Sequence, residues 1–319
     1  MQFFDYSLFI INIILSILKL SNFDFLFYYQ TSRRYMNTKN KSILLMLFSA
    51  FTFSAMQIIV KLLPAVPLME KVFFRNFISL IISFIILKEN NLSYFGNKEN
   101  RKYLFYRYLF GFTGIILFFY ATTQMLAADA AILNKLSPVF VIILAHQFLK
   151  EKINKTKITV MIISILGALL VIKPQFKLSV IPAAAGFISA ILSGAAYVFI
   201  TVIGNRESIY TTVFYFSLLS SLSCIPFFFM DLAIPDAYEL FMLILLGVLA
   251  AFGQIALTSA YNNCKASEIS IYDYSNIIFS SLLGYLFLSE IPDILSILGG
   301  ILILSASVIL YIQQRHENT

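Results

Sequence analysis

Asp273 sits about two turns into a long apolar run, where a charge is expensive unless it faces a cavity or a partner. Ser270, Asp273, Asn276 and Ser280 are spaced by 3, 3 and 4, so on a helix they form one polar stripe. In an earlier run, Lys135 follows Asn134 about ten residues in, too far from either end for its ammonium to reach water with ease. Two uses fit Lys135: an ion pair with Asp273, or contact with an anionic group on a solute. An ion pair that opens and closes serves both. Arg75, beside Asn76, carries the planar fork that suits a carboxylate or a phosphate. Its run ends close by, so reaching outward to the surface or pairing with Glu70 also fits. Asp129 stands at the start of its run, where a negative charge favours a helix N-terminus. Gln57 and Tyr197, 140 positions apart, are uncharged polar residues that either line a cavity or bond between helices. Lys135, Asn134, Asp273, Asn276, Gln57, Tyr197 and Arg75 are the candidate substrate-binding residues. Asp273 is also the candidate for proton coupling, because burial disfavours a charged carboxylate.

These residue types exclude other chemistries. His146 and His316 have no Cys or His at ligand spacing, and Cys224 and Cys264 lie in separate apolar stretches. No metal site is expected, and nothing calls for a cofactor. HExxH, GxSxG and GxGD are absent, so a hydrolase is not expected, and without a phosphate-binding loop ATP does not drive the protein directly.

The elements that must position these groups follow from composition. The 319 residues are 60% hydrophobic and 12% charged, against about 25% charged in a soluble protein. So few ionisable groups cannot keep a soluble surface wet, whereas a lipid-facing surface needs none. The net charge of +7 does not imply a nucleic-acid partner, because Lys and Arg fall in short gaps and not on one face. Runs long enough to span lie near 42–63, 67–88, 103–123, 126–148, 157–173, 181–203, 210–230, 239–260, 266–288 and 294–312. They are apolar all round, which argues for helices and against a barrel. If the first begins in the cytoplasm, most loop Lys and Arg, with Arg107 counted among them, fall on that side, so both ends of the ten-helix body are expected there.

Residues 1–38 are read as an N-terminal extension with two readings open. Residues 7–29 form an extra hydrophobic helix ahead of Arg33-Arg34, or the chain properly begins at Met36. Residues 39–177 are expected to form one five-helix unit, 178–312 a second, and 313–319 a tail. The units are related by an internal repeat: 114–162 lies over 253–301 at a constant offset of 139, placing Gly114 on Gly253, Phe140 on Phe279 and Glu151 on Glu290. Five crossings per unit is odd, so the second unit must insert upside down. Inverted repeats place a pseudo-twofold axis in the membrane plane, and transporter sites lie near it.

The Glu after each fourth-type helix (Leu149-Lys150-Glu151 and Leu288-Ser289-Glu290) resembles the pattern of EamA-type members of the drug/metabolite transporter superfamily. So do Leu136-Ser137-Pro138-Val139-Phe140, Tyr274-Ser275-Asn276-Ile277-Ile278-Phe279, Gly167 and Gly299-Gly300. The resemblance covers about residues 40–312. Ile277 replaces the proline expected opposite Pro138, which points to a straighter ninth helix. The fold class expected is an all-α integral membrane protein of ten transmembrane helices in two inverted repeats, with an extra N-terminal helix under one of the two readings above. The resemblance implies export or exchange of small metabolites by a secondary transporter. The slightly positive set of Arg75, Lys135 and Asp273 favours an amino acid or another carboxylate-bearing solute. Expected partners are that small molecule, the lipid bilayer, and a proton or counter-substrate. The alternatives are a non-transporting membrane receptor or assembly factor and, behind it, an intramembrane enzyme. Richness in Ile, Phe, Lys and Asn suggests a bacterial source, and hence the cytoplasmic (inner) membrane.

Overall fold

The computed structural model describes residues 38–124, 133–172, 180–228, 234–289 and 294–316. The chain falls into two compact units, Met1–Lys41 and Ser42–Thr319. Both readings of the N-terminal extension lie outside the described residues, and so do Asp129 and Glu290. The ten principal helices among the described residues are α1 (Thr38–Leu62), α2 (Leu68–Glu89), α3 (Arg101–Gln124), α4 (Ser137–Leu149), α5 (Lys155–Ile172), α6 (Val180–Ile203), α7 (Ile209–Phe228), α8 (Ala237–Asn263), α9 (Ser275–Leu288) and α10 (Ile294–His316). No strand occurs among the described residues.

Helix ends have local causes. Pro67 precedes α2, where a missing N–H costs nothing. α8 opens with a reciprocal capping box: Asp236 accepts from the Glu239 N–H at 2.7 Å, and Glu239 accepts from the Asp236 N–H at 3.0 Å. Lys150 and Ser289 end α4 and α9 in the left-handed region, at φ 55° and 56°. Their N–H groups bond to the carbonyls of Ala145 and Gly284. Both pairs are 139 apart, so the repeat is duplicated down to its C-caps.

The bundle keeps an apolar core but, unlike a soluble protein, also presents apolar side chains outward and buries many polar ones. Ile294, Ile297, Ile301, Leu304, Val308 and Ile312 on α10 are all half exposed or more, and their spacing of 3 or 4 makes one outward apolar stripe. Such a stripe is stable against lipid and not against water. The interior holds Ser49, Thr52, Ser54, Asn76, Ser79 and Ser83, all buried. On length and composition, α1, α3, α6, α7 and α8 can each cross a bilayer.

The heaviest packing joins one repeat to the other: α3 on α6, α5 on α10, α2 on both α7 and α8, and α4 on α6. In a five-plus-five repeat, α2 corresponds to α7 and α5 to α10, so these two pairs flank the pseudo-twofold axis. The ridge Gly186, Ala190, Gly194 is a packing face, with Gly194 meeting Phe140 and Val141 of α4. At the α5–α10 crossing, a Cβ on Gly167 would lie 2.8 Å from the carbonyl oxygen of Gly299. Backbone cannot yield as a side chain can, so Gly167→Ala is expected to destabilise the protein by about 1–3 kcal/mol. Its melting temperature in detergent checks this, and an unchanged value would mean the crossing is loose.

Two segments depart from the expected continuous spans. In the fourth, Leu133-Asn134 is helical, Lys135-Leu136 is a turn, and α4 starts afresh with Pro138 in its first turn. In the ninth, a single α-turn (Ala266–Ile269) passes into a 3-10 stretch (Ser270–Tyr274) before α9. The ninth segment is therefore not the straighter one, although it lacks a proline. Its irregular backbone is supported by side chains, Ser275 Oγ donating to the Tyr272 carbonyl at 2.6 Å. A 3-10 stretch inside a helix commonly marks a hinge.

Candidate functional site

The two breaks face one another across the repeats and bring two charges together. Lys135 Nζ donates to Asp273 Oδ2 at 3.0 Å, and both residues are buried. Asn134 is the repeat equivalent of Asp273, so the pair joins the broken point of one fourth-type segment to that of the other. Irregular backbone at membrane depth is tolerated where it lines a cavity. A cavity of about 90 Å³ opens beside the pair.

All seven candidates named from the sequence line this cavity: Gln57 from α1, Arg75 from α2, Asn134 and Lys135 before α4, Tyr197 from α6, Asp273 before α9, and Asn276 on α9. They are not equivalent once their partners are counted. The Asn276 amide donates to the Ala50 carbonyl at 3.0 Å and to Ser54 Oγ at 2.6 Å. Ser280 bonds to Ser54 and Gln57 at 3.1 and 3.3 Å. Half of the polar stripe thus ties α9 to α1, which is positioning work. Asn134 makes only a long contact to Ser189 Oγ, at 3.4 Å. Tyr197 stacks on Tyr261, ring centroids 5.1 Å apart. Tyr261, Asn262 and Asn263 do not line the cavity. Asn262 bonds to Asn205, and Asn263 to its own helix.

Arg75 does not reach outward, and among the described residues no carboxylate lies at ion-pair distance from it. It is buried, donates to Asn76 Oδ1 at 3.0 Å, and lies over the Phe53 ring at 5.9 Å. The residue missed from the sequence is Arg107. It belongs to a helix and not to a loop, is buried, and lines the cavity. Its guanidinium lies 4.2 Å from the Phe216 ring centroid and along Gly111, whose missing side chain makes room for it. The available signal was Gly111 four residues on, one helical turn away, beside an arginine already seven residues into α3.

No group of three or more His, Cys, Asp or Glu side chains suited to a metal occurs among the described residues. The EamA-like transporter family matches residues 40–173 and again 180–312. The chain belongs to this family. It is therefore an all-α integral membrane protein with two EamA repeats, and a transporter, not an enzyme. It is similar to transporters of differing direction. The pseudopaline exporter CntI of Pseudomonas aeruginosa is 33% identical over 271 residues, covering 84% of this chain and 95% of that protein. The S-adenosylmethionine uptake transporter of Rickettsia prowazekii is 23% identical over 253 residues, covering 77% of this chain and 83% of the relative. Solute carrier family 35 member G1 of Mus musculus is 26% identical over 260 residues, 76% of this chain and 71% of the relative. A solved crystal structure superposes with a TM-score of 0.76 over 88% of this chain and all of its own, at 14% identity, which supports the fold alone.

Proposed function

We propose that the protein is a secondary transporter of the bacterial cytoplasmic membrane that moves a small carboxylate-bearing metabolite by alternating access. Both ends of its ten-helix body face the cytoplasm, and the two repeats, residues 39–177 and 178–312, rock about the cavity. The observation that carries this reading is the buried Lys135–Asp273 pair, set where both fourth-type segments lose regular helix. A buried pair is a poor device for stability alone, since well-packed apolar residues do as well. It is a good device for a site that must open, because a solute carboxylate can replace Asp273 at Lys135 while Asp273 takes a proton. The cavity of about 90 Å³ is below the roughly 300–1,000 Å³ of ligand-filled pockets, so the walls part to admit a solute. The irregular turns beside Lys135 and Asp273 are the places where they give.

Counterflow in proteoliposomes tests the reading. Vesicles preloaded with amino acids and small carboxylates should take up labelled solute with the wild-type protein. Asp273→Asn, folded, should lose at least about tenfold in rate, the size of one lost charge-assisted contact. Unchanged uptake by Asp273→Asn would move the site elsewhere in the transporter.

A further inference from the structure

The proposed transport reading leaves two charges in the cavity wall unexplained. Among the described residues, the lining contains three cations, Arg75, Arg107 and Lys135, against one carboxylate, that of Asp273. Lys135 takes that carboxylate at 3.0 Å. Arg75 and Arg107 are 6% and 3% exposed, and among the described residues no carboxylate lies at ion-pair distance from either. Among the described residues Arg107 has no hydrogen-bond partner, and its buried Nε is unsatisfied. The two guanidinium groups are within electrostatic reach of one another, with Tyr197 in reach of both. Like charges held together away from water are costly, and an arginine is not relieved by losing its proton. What is absent from the wall must be supplied by what enters it.

Resting on that transport reading, we infer that Arg75 and Arg107 form an anion subsite, apart from the Lys135–Asp273 pair, that takes the doubly negative end of the transported solute. Two forks, one from α2 and one from α3, each able to bind two oxygens, match a dicarboxylate or a phosphate monoester better than a single carboxylate. Phe53 and Phe216 face the two guanidinium groups and help fix their orientation without neutralising them. Gly111 keeps the Arg107 fork lying along α3, because a Cβ there would sit 2.1 Å from its terminal nitrogen. The subsite therefore selects for charge, and the Lys135–Asp273 pair remains free to open and close.

The test is binding to the purified full chain in detergent, read as the shift in melting temperature at constant ionic strength. The probes are succinate, glycerol 3-phosphate, butyrate and neutral butyramide. Succinate or glycerol 3-phosphate should raise the melting temperature, butyrate less, and butyramide not at all. Whichever dianion acts better identifies the carboxylate or the phosphate form of the solute. Arg107→Gln should weaken that binding by about 10- to 100-fold. Arg107→Lys, which keeps the charge without the fork and guards against a folding defect, should fall between. Gly111→Ala should weaken it with no charge removed. Equal shifts from succinate and butyramide, no shift from any probe, or full affinity in folded Arg107→Gln would each overturn the subsite. Counterflow that Asp273→Asn abolishes and Arg107→Gln leaves intact would overturn the subsite and leave the transporter mechanism standing. Dianion binding lost in Arg107→Gln, with no counterflow by wild type, would support the subsite and reject that mechanism.

Discussion

Lys135→Met is expected to lower stability by about 3–5 kcal/mol, and adding Asp273→Leu to the same chain is expected to return most of that loss. The asymmetry is physical. Lys135 Nζ and Asp273 Oδ2 are 3.0 Å apart, with side chains only 8% and 10% exposed. Removing one partner leaves a largely buried charge without its counter-ion. Removing both leaves apolar side chains of similar bulk, with no charge left to desolvate. Met has the length to fill the space of the lysine stem without forcing the turn at Lys135-Leu136. Melting in detergent of the wild type, both single variants and the double variant closes the cycle. A double variant as unstable as Lys135→Met would mean that Asp273 supports the fold through contacts other than this pair. A stable double variant that no longer transports would separate the two roles: the pair is kept for work and not for the fold.

The pair was legible because charges deep in apolar runs are rare enough to be read one at a time. Lys135 and Asp273 each lacked a way out of the bilayer, and an offset of 139 set Asn134, beside Lys135, against Asp273. The ten segments were legible for the related reason that about 20 apolar residues have few alternatives to a membrane span. Arg107 was not. Seven residues into α3, it looks like one more basic residue at a helix mouth, and counting loop charges absorbs it. Only the direction of the side chain, set by Gly111 and Phe216, turns it inward. The 3-10 stretch Ser270–Tyr274 was also hidden, since it has neither proline nor glycine, and the missing proline at Ile277 pointed the opposite way. Asn276 lies on the polar stripe and lines the cavity, but its partners were not legible. Its amide is taken up by Ala50 and Ser54 of α1, a contact more than 220 residues away in sequence that no local spacing announces.

Glu151→Ala is expected to loosen the start of the ninth segment and expose Cys264 to alkylation about 30- to 100-fold faster than in the wild type. The Glu151 carboxylate accepts from the N–H groups of Ala266 and Ser267, each at 3.1 Å, and from the Ser267 hydroxyl. Lys157 Nζ reaches the same hydroxyl at 2.8 Å. Three donors at the head of the segment are thus gathered by one side chain from the loop after α4, as an N-cap would gather them within a single helix. Charge-assisted bonds of this kind contribute about 1.5–3 kcal/mol apiece when buried. Partial exposure discounts them, so roughly 2–3 kcal/mol in total is expected from Glu151, and each 1.4 kcal/mol is a factor of ten in local opening. The native thiols report the effect without added cysteines. Cys264 ends α8 two residues before this cap, whereas Cys224 is buried in α7 and should stay protected in both proteins. Faster labelling of both would signal global unfolding instead. If Cys264 alone responds, the contact is a latch on one mouth of the cavity, at the face proposed as cytoplasmic. Alternating access requires such a latch to break once per cycle, so Glu151→Ala should then also bias the protein toward the state open on that face.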